Sequence, residues 1–231
     1  RADLTTPQRQ ALMKVLGKLK AVQTWEALAE IAQDDGENMF VRCYAAEAIG
    51  AMKKPESIPV LLKLFEESDP NMRCYVLKGM ANFDGKEAKN LVVQAIKDSQ
   101  YKVRLDAIDA AAEMKLKEAV PYLIYRAKND PEAAVKKKAY EKLAAFDDDE
   151  ADKFLIGQIT DKKTSDSVKR QAAESLLKYG KAGRTEIGKW AESLAADDTK
   201  KPMRREVGKL LAKYPDGAFA GACAAYLSSQ D

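Results

Sequence analysis

VRCYAAEAIGAM (41–52), MRCYVLKGMANF (72–83) and VRLDAIDAAAEM (103–114) align without a gap, and this alignment decides the fold. The series continues through VKKKAYEKLAAF (135–146), VKRQAAESLLKY (168–179) and MRREVGKLLAKY (203–214). Successive starts lie 31, 31, 32, 33 and 35 residues apart, and QRQALMKVLGKL (8–19) is a worn seventh copy. With the first residue as position zero, positions 0, 4, 8 and 11 are apolar nearly throughout, as in Val41, Ala45, Ile49 and Met52. At about 100° per residue these four share one helical face. Position 11 is large from the second copy onward (Met52, Phe83, Met114, Phe146, Tyr179, Tyr214), as expected of a plug closing a stacked core.

Between these helices lie partner segments with apolar stripes of their own, such as Ile58, Leu61, Leu62 and Phe65, or Val120, Leu123, Ile124 and Ala127. Pro59 and Pro121 stand two repeats apart, near helix starts where proline is tolerated. The pattern predicts an all-α chain of about fourteen helices in antiparallel pairs. One pair cannot bury its apolar face alone, so each needs its neighbours. The expectation is a single repeat domain over residues 1–231.

The run V-R-x-x-A-A-x-A-I-G at Val41–Gly50, with Asp-containing turns and a period near 31, resembles HEAT repeats. More narrowly, it is similar to the short bacterial variety named after phycobilisome lyases. The resemblance covers residues 8 to about 228. It implies a right-handed α-α superhelix, a HEAT-like solenoid whose second helices line a concave groove. The family it implies is mostly scaffolding, with a few enzymes. Tetratricopeptide arrays are disfavoured because W-x-x-L-G-x-x-Y is absent, and neither Trp25 nor Trp190 has a repeat counterpart.

Composition narrows the chemistry. The charge is +3, from 39 basic and 36 acidic residues, and neither half is basic enough to announce a nucleic-acid or membrane partner by itself. There is no histidine, which removes the commonest general base and metal ligand. Cys43, Cys74 and Cys223 lack CxxC spacing, so neither a zinc site nor a dithiol motif is suggested. No metal or cofactor is expected. The small, odd number of cysteines fits reduced thiols but says little about compartment; the cytoplasm is slightly favoured, with the periplasm or secretion left open. The longest apolar stretch, Gly217 to Leu227, is too short to span a bilayer.

The chain begins at Arg1, so the expectation is a processed or trimmed product. The array opens on a second helix and closes on a first, whose Ala218, Phe219, Ala222, Cys223, Tyr226 and Leu227 are apolar. Terminal repeats usually carry a polar outer face. The chain therefore reads as a fragment of a longer protein, or as one whose last helix folds back or dimerises.

Position 1 is basic in the well-formed copies: Arg42, Arg73, Arg104, Lys136, Lys169 and Arg204. Asp69, Asp98, Asp130 and Asp166 are close in sequence, so the ladder is read as structural. Positions 2, 3, 6 and 10 are expected to face solvent. In the first three full copies they hold Cys43, Tyr44, Glu47, Cys74, Tyr75, Lys78, Asn82, Leu105, Asp106, Asp109 and Glu113. In the last three they hold Lys137, Lys138, Glu141, Arg170, Gln171, Glu174, Lys178, Arg205, Glu206, Lys209 and Lys213. The groove is thus expected to run from an apolar, weakly acidic end to a basic one. Exposed Tyr and Leu weigh more than charge, which is cheap on a surface. Candidate partner-binding residues are Tyr44, Tyr75, Lys78, Leu105, Lys137, Lys138, Arg170, Lys178, Arg205 and Lys209. A bridge between Cys43 and Cys74 is not expected, since neighbouring helices pack roughly 8–10 Å apart. The DDDE run at Asp147–Glu150 reads as a helix cap.

Three catalytic families share this resemblance. Di-iron hydroxylases need His-Glu pairs that a chain without histidine cannot supply. DNA glycosylases need aromatic platforms facing nucleic acid, whereas Trp25 and Trp190 fall on first helices. Phycobilin lyases need a pigment pocket that the sequence does not show. The reading is therefore a non-enzymatic scaffold that binds a protein or peptide with an apolar anchor and an acidic stretch. The alternative is nucleic-acid binding by the basic C-terminal half.

Overall fold

An Asp carboxylate folds back on the backbone two residues ahead in six successive turns. The carboxylates of Asp34, Asp69, Asp98, Asp130, Asp161 and Asp197 accept from the N–H groups of Gly36, Asn71, Gln100, Glu132, Lys163 and Thr199 respectively, at 2.7–3.0 Å. Such turns set the entry of the next helix. A computed structural model describes residues 4–67, 69–180 and 182–228. Among them are fourteen α-helices and no strand.

The second helices of the pairs are α1 (Thr6–Lys18), α3 (Met39–Ala51), α5 (Pro70–Met80), α7 (Tyr101–Glu113), α9 (Ala133–Leu143), α11 (Asp166–Tyr179) and α13 (Lys201–Lys213). The first helices are α2 (Trp25–Gln33), α4 (Ser57–Phe65), α6 (Lys86–Ala95), α8 (Val120–Asn129), α10 (Asp149–Thr160), α12 (Arg184–Ser193) and α14 (Ala220–Ser228). The chain divides into two compact units, Arg1–Tyr122 and Leu123–Asp231. In the first, α1, α3, α5 and α7 lie side by side, with α2, α4 and α6 packed on them. In the second, α9, α11 and α13 form the row, with α10 against α9 and α11, and α12 against α10 and α14.

Small residues let the row close up. A Cβ built on Gly50 would stand 2.3 Å from Gly79 Cα, and one on Gly17 would stand 3.0 Å from Ala48 Cα. Ala45, Val76, Ala107, Ala139, Ala172 and Val207, all at position 4, are fully buried. The position-11 plug holds at Met52, Phe83 and Phe146. Met114 and Tyr214 are only half-buried and Tyr179 is exposed. In α4 the stripe is rotated from its expected line: Leu64 is buried with Leu61 and Phe65, while Ile58 and Leu62 are half-exposed.

The four arginines of the basic ladder are structural. Arg42 is 5% exposed and donates to Ala32 O (3.0 Å) and to Glu67 (2.6 Å), which lies in the turn one repeat on. Arg73 donates to Asp98 (2.9 Å) and to the Glu67 carbonyl (2.9 Å). Arg104 and Arg204 donate to carbonyls of their own turns, at Asp98 and Ala195. Each arginine therefore staples an irregular turn whose carbonyls would otherwise be buried unpaired.

After several second helices the chain reverses through the left-handed region at a non-glycine residue, namely Lys20, Lys53, Lys115 and Asp147. All four occupy position 12 of their repeats. The first helices carry both tryptophans: Trp25 donates to Ser57 Oγ at 2.8 Å, and Trp190 donates to Asp166 Oδ1 at 3.4 Å.

Candidate functional site

Tyr44 on α3 and Tyr75 on α5 share position 3 of adjacent repeats, so the side-by-side row brings their rings together. The centroids are 4.9 Å apart and the planes 86° apart, an edge-to-face contact. Both rings are half-buried. Lys14 of α1 lies 4.2 Å from the Tyr44 centroid, and Lys78 of α5 lies 4.5 Å from that of Tyr75. Hydrogen bonds from Tyr75 and then Lys14 hold the Tyr44 phenol below its ordinary range. Burial, then the bond to Tyr44, pushes the Tyr75 phenol up.

Beside the pair, α1 and α3 enclose a cleft of about 230 Å³. Met13, Gly17, Ala48 and Ala51 form its floor, Tyr44 a wall, and Lys14, Lys18 and Glu47 its rim. Lys14 and Lys18 were not singled out from sequence. Positions 6 and 10 of the repeat, applied to the worn copy at 8–19, would have found them.

Leu105 on α7 is half-buried and Lys78 is exposed. Cys43 and Cys74, expected to face solvent, are buried at 0% and 9% exposure. Position 2 of a second helix faces the neighbouring second helix, so the buried arc is wider than a single stripe. Burial, ahead of nearby carboxylates, pushes both thiols up to about 12. Cys223 is exposed.

In the second unit, Lys137, Arg170 and Lys178 line a cleft of about 350 Å³ between α9 and α11. Glu141, Gln171, Glu174 and Ser175 complete it. The cations there are largely matched: Arg170 meets Glu174 at 3.2 Å and Lys178 meets Glu141 at 3.3 Å. The Tyr179 hydroxyl, with Glu141 adding, raises the Lys178 ammonium. Ser175 Oγ donates to the Glu141 carbonyl and accepts from Ala144 N–H, tying α9 to α11. On α13, Lys209 lies 3.6 Å from Glu206, and Arg205 is exposed. Lys138 on α9 is half-buried. Across these three helices seven basic side chains face three acidic ones at the chosen positions, a surplus of four positive charges.

Among the described residues no three His, Cys, Asp or Glu side chains gather as a metal would require, and no helix is long and apolar enough to cross a membrane. The profile of the Spirochaete HEAT repeat proteins matches residues 1–231.

The chain belongs to that family.

As a Spirochaete HEAT repeat protein it shares its fold with known helical solenoids. It is similar to the CpcE–CpcF complex of phycocyanin lyase from Nostoc sp. PCC7120, at 15% identity and a TM-score of 0.52, over 99% of this chain and 90% of that one. It is also similar to YibA from Escherichia coli, at 17% identity and a TM-score of 0.55, over 99% and 78%. At these identities the likeness shows the fold alone. A deoxyhypusine hydroxylase of Candida albicans is 43% identical over 56 residues, 24% of this chain. The chain spans only 17% of that relative's length. Proteins named for catalysis thus share these repeats, and the fold is equally compatible with a scaffold.

Proposed function

We propose that this HEAT repeat protein is a non-enzymatic scaffold that docks a partner protein on the open faces of its second helices. The observation that carries the reading is the Tyr44–Tyr75 pair beside an apolar-floored cleft rimmed by Lys14 and Lys18. Interfaces draw most of their energy from an aromatic or aliphatic anchor seated in such a recess. The basic surplus on α9, α11 and α13 of the second unit suits an acidic stretch of a partner and steers its approach. The absence of histidine from the whole sequence supports a role without general-base or imidazole–metal chemistry.

Nucleic-acid binding is the second reading, favoured by the same surplus of positive charge. It fits less well. The cations over Tyr44 and Tyr75 cover ring faces that bases would stack on, and three carboxylates sit among the basic groups of the second unit.

Fluorescence anisotropy with two labelled probes separates the readings. One is a pool of acidic peptides each carrying a single Phe, Trp or Leu, and the other is a single-stranded oligonucleotide. Wild type is compared with a variant carrying Lys137→Glu, Lys138→Glu, Arg170→Glu and Arg205→Glu. The expected result is saturable peptide binding that weakens at least about tenfold on charge reversal, as loss of several complementary charges implies. Saturable oligonucleotide binding with a steep salt dependence, and no peptide binding, would replace the scaffold with the second reading.

A further inference from the structure

Position 1 departs from its own rule in the second unit. Four copies carry an arginine there that donates into a turn, but α9 carries Lys136. Among the described residues, neither Lys136 nor the adjacent Lys137 takes part in an ion pair or hydrogen bond. Both line a further cleft of this unit, about 540 Å³ in volume, bordered by α8, α9, α10 and α11. Lys128 lines it as well and lies 5.1 Å from the Phe154 ring centroid, so three ammonium groups share one recess. Among the described residues no Asp or Glu is in the lining. Thr164 is, and its hydroxyl donates at 3.2 Å to Asp161, which is not.

The uncharged groups of the lining add donors. Tyr140 is 5% exposed and donates to Gln158 Oε1 at 3.1 Å. Burial pushes its phenol up, so it stays neutral. With its oxygen engaged, Gln158 is left with amide N–H groups to offer. The Ser165 side chain does not cap α11, which leaves its hydroxyl available to the recess. Ala127, Ala133 and Val168 supply an apolar wall. The cleft between α9 and α11 shares Lys137 and Gln171 with this one, but there Glu141 and Glu174 match Lys178 and Arg170. Unmatched positive charge is therefore concentrated in one recess of this face.

We propose that the recess takes a phosphoryl group carried on a serine or threonine side chain of the docked partner, an inference that rests on the scaffold reading. A phosphomonoester concentrates about −1.5 to −2 charges and three acceptor oxygens on one centre, which suits three ammonium groups and no carboxylate. Lysine binds such a group as a point charge. A carboxylate side chain brings a single charge and leaves most of that cluster unmatched. A nucleic-acid backbone spreads one charge over each phosphate and calls for a track of cations, and beside the recess Glu141 and Glu174 interrupt such a track. The apolar wall and the Tyr140 ring suit the carbon stem of the phosphorylated side chain.

Backbone amide NMR of the 231-residue chain, titrated with N-acetyl-O-phosphoserine methylamide, tests the recess without any peptide. Saturable shifts are expected at 133–137 and 164–168. Lys136→Gln with Lys137→Gln is expected to weaken them at least about tenfold, as loss of a charge-assisted hydrogen bond implies. Neither lysine has a partner to lose, so the fold is retained, and the variant's own spectrum verifies it. Lys189→Gln, at an exposed lysine of α12, keeps wild-type affinity. Equal shifts from the unphosphorylated blocked serine, or unchanged affinity in the double variant, would overturn the proposal. Inorganic phosphate binding as tightly as the blocked phosphoserine would make this a free-anion site and overturn it too. Tighter binding of a single-stranded oligonucleotide at the same amides would replace it with nucleic-acid recognition. In a second arm, the tightest peptide of the anisotropy pool is remade with phosphoserine at each position in turn. One position is expected to gain at least about tenfold, and the double variant to lose that gain. Peptide binding with no gain at any position would overturn the proposal and leave the scaffold reading standing. Absence of all peptide binding would sink the scaffold reading, and the blocked phosphoserine still decides the recess by itself.

Discussion

A methyl group at Gly50 would meet the Gly79 backbone at 2.3–2.7 Å, a distance that real side chains do not tolerate. Gly50→Ala must push α3 and α5 apart along a row that is otherwise close-packed. Overpacking of this kind costs about 1–3 kcal/mol, and urea unfolding is expected to show a loss in that range. Gly157→Ala, whose Cβ would meet nothing within 4 Å, is the control and leaves the midpoint unchanged or raised. The cysteines give a second test at this scale. Burial holds the Cys43 and Cys74 thiols near 12, so at pH 8 they are protonated as well as covered. Ellman's reagent is expected to titrate Cys223 alone in the native state and all three thiols in guanidinium. Rapid reaction of a second native thiol would contradict the packing of α3 against α5. The position-2 cysteines were misplaced by the helical wheel because it assumes one buried arc. A second helix is flanked by other second helices as well as by its partner, and that geometry is tertiary. Position 12 is different: Lys20, Lys53 and Lys115 recur there in plain sight, yet lysine carries no αL preference that would flag the reversal.

At the scale of the element, α10 shows a local rule meeting a crowd. Asp148 caps the helix by accepting from Glu150 and Ala151 N–H groups, as the DDDE run suggested. Asp152, half-buried in the same first turn, feels burial first and then Asp147, Asp149 and Asp148, and its carboxyl is pushed up. The native state therefore holds this proton more tightly than the unfolded chain does. Stability is fullest below the ordinary value of 3.8 and falls as pH rises through the raised one. At neutral pH the charge opposes folding. Asp152→Asn is expected to stabilise at pH 7, by at most about 0.5 kcal/mol once solvent screening is counted. The gain should vanish well below the ordinary value of 3.8, where both states are protonated. Thermal melts across pH check this, and a gain that grows on acidification would contradict it. Helix positions were legible because the apolar segment repeats seven times and the Asp turn before it six times. The rotated stripe of α4 was less so, since Leu61, Leu62, Leu64 and Phe65 are contiguous and periodicity alone cannot choose among them.

For the whole molecule, each helix pair exists only because its neighbours bury what it cannot. The same dependence made the fold readable from one 12-residue segment. Function was less legible. The sequence placed Tyr44 and Tyr75 in one column, but their edge-to-face contact and the cleft beside them depend on how closely α1, α3 and α5 approach. Formal charge overstated the basic face, because Glu141, Glu174 and Glu206 sit beside Lys178, Arg170 and Lys209. The central claim is that the tyrosine pair and its cleft anchor a protein partner. The most direct measurement is the affinity of the tightest peptide from the anisotropy pool for wild type and for Tyr44→Ala/Tyr75→Ala, with melting curves for both. The account predicts a loss of at least about tenfold, as for a single interface hot spot, while the double variant still melts cooperatively. Equal affinity in a folded double variant would contradict it.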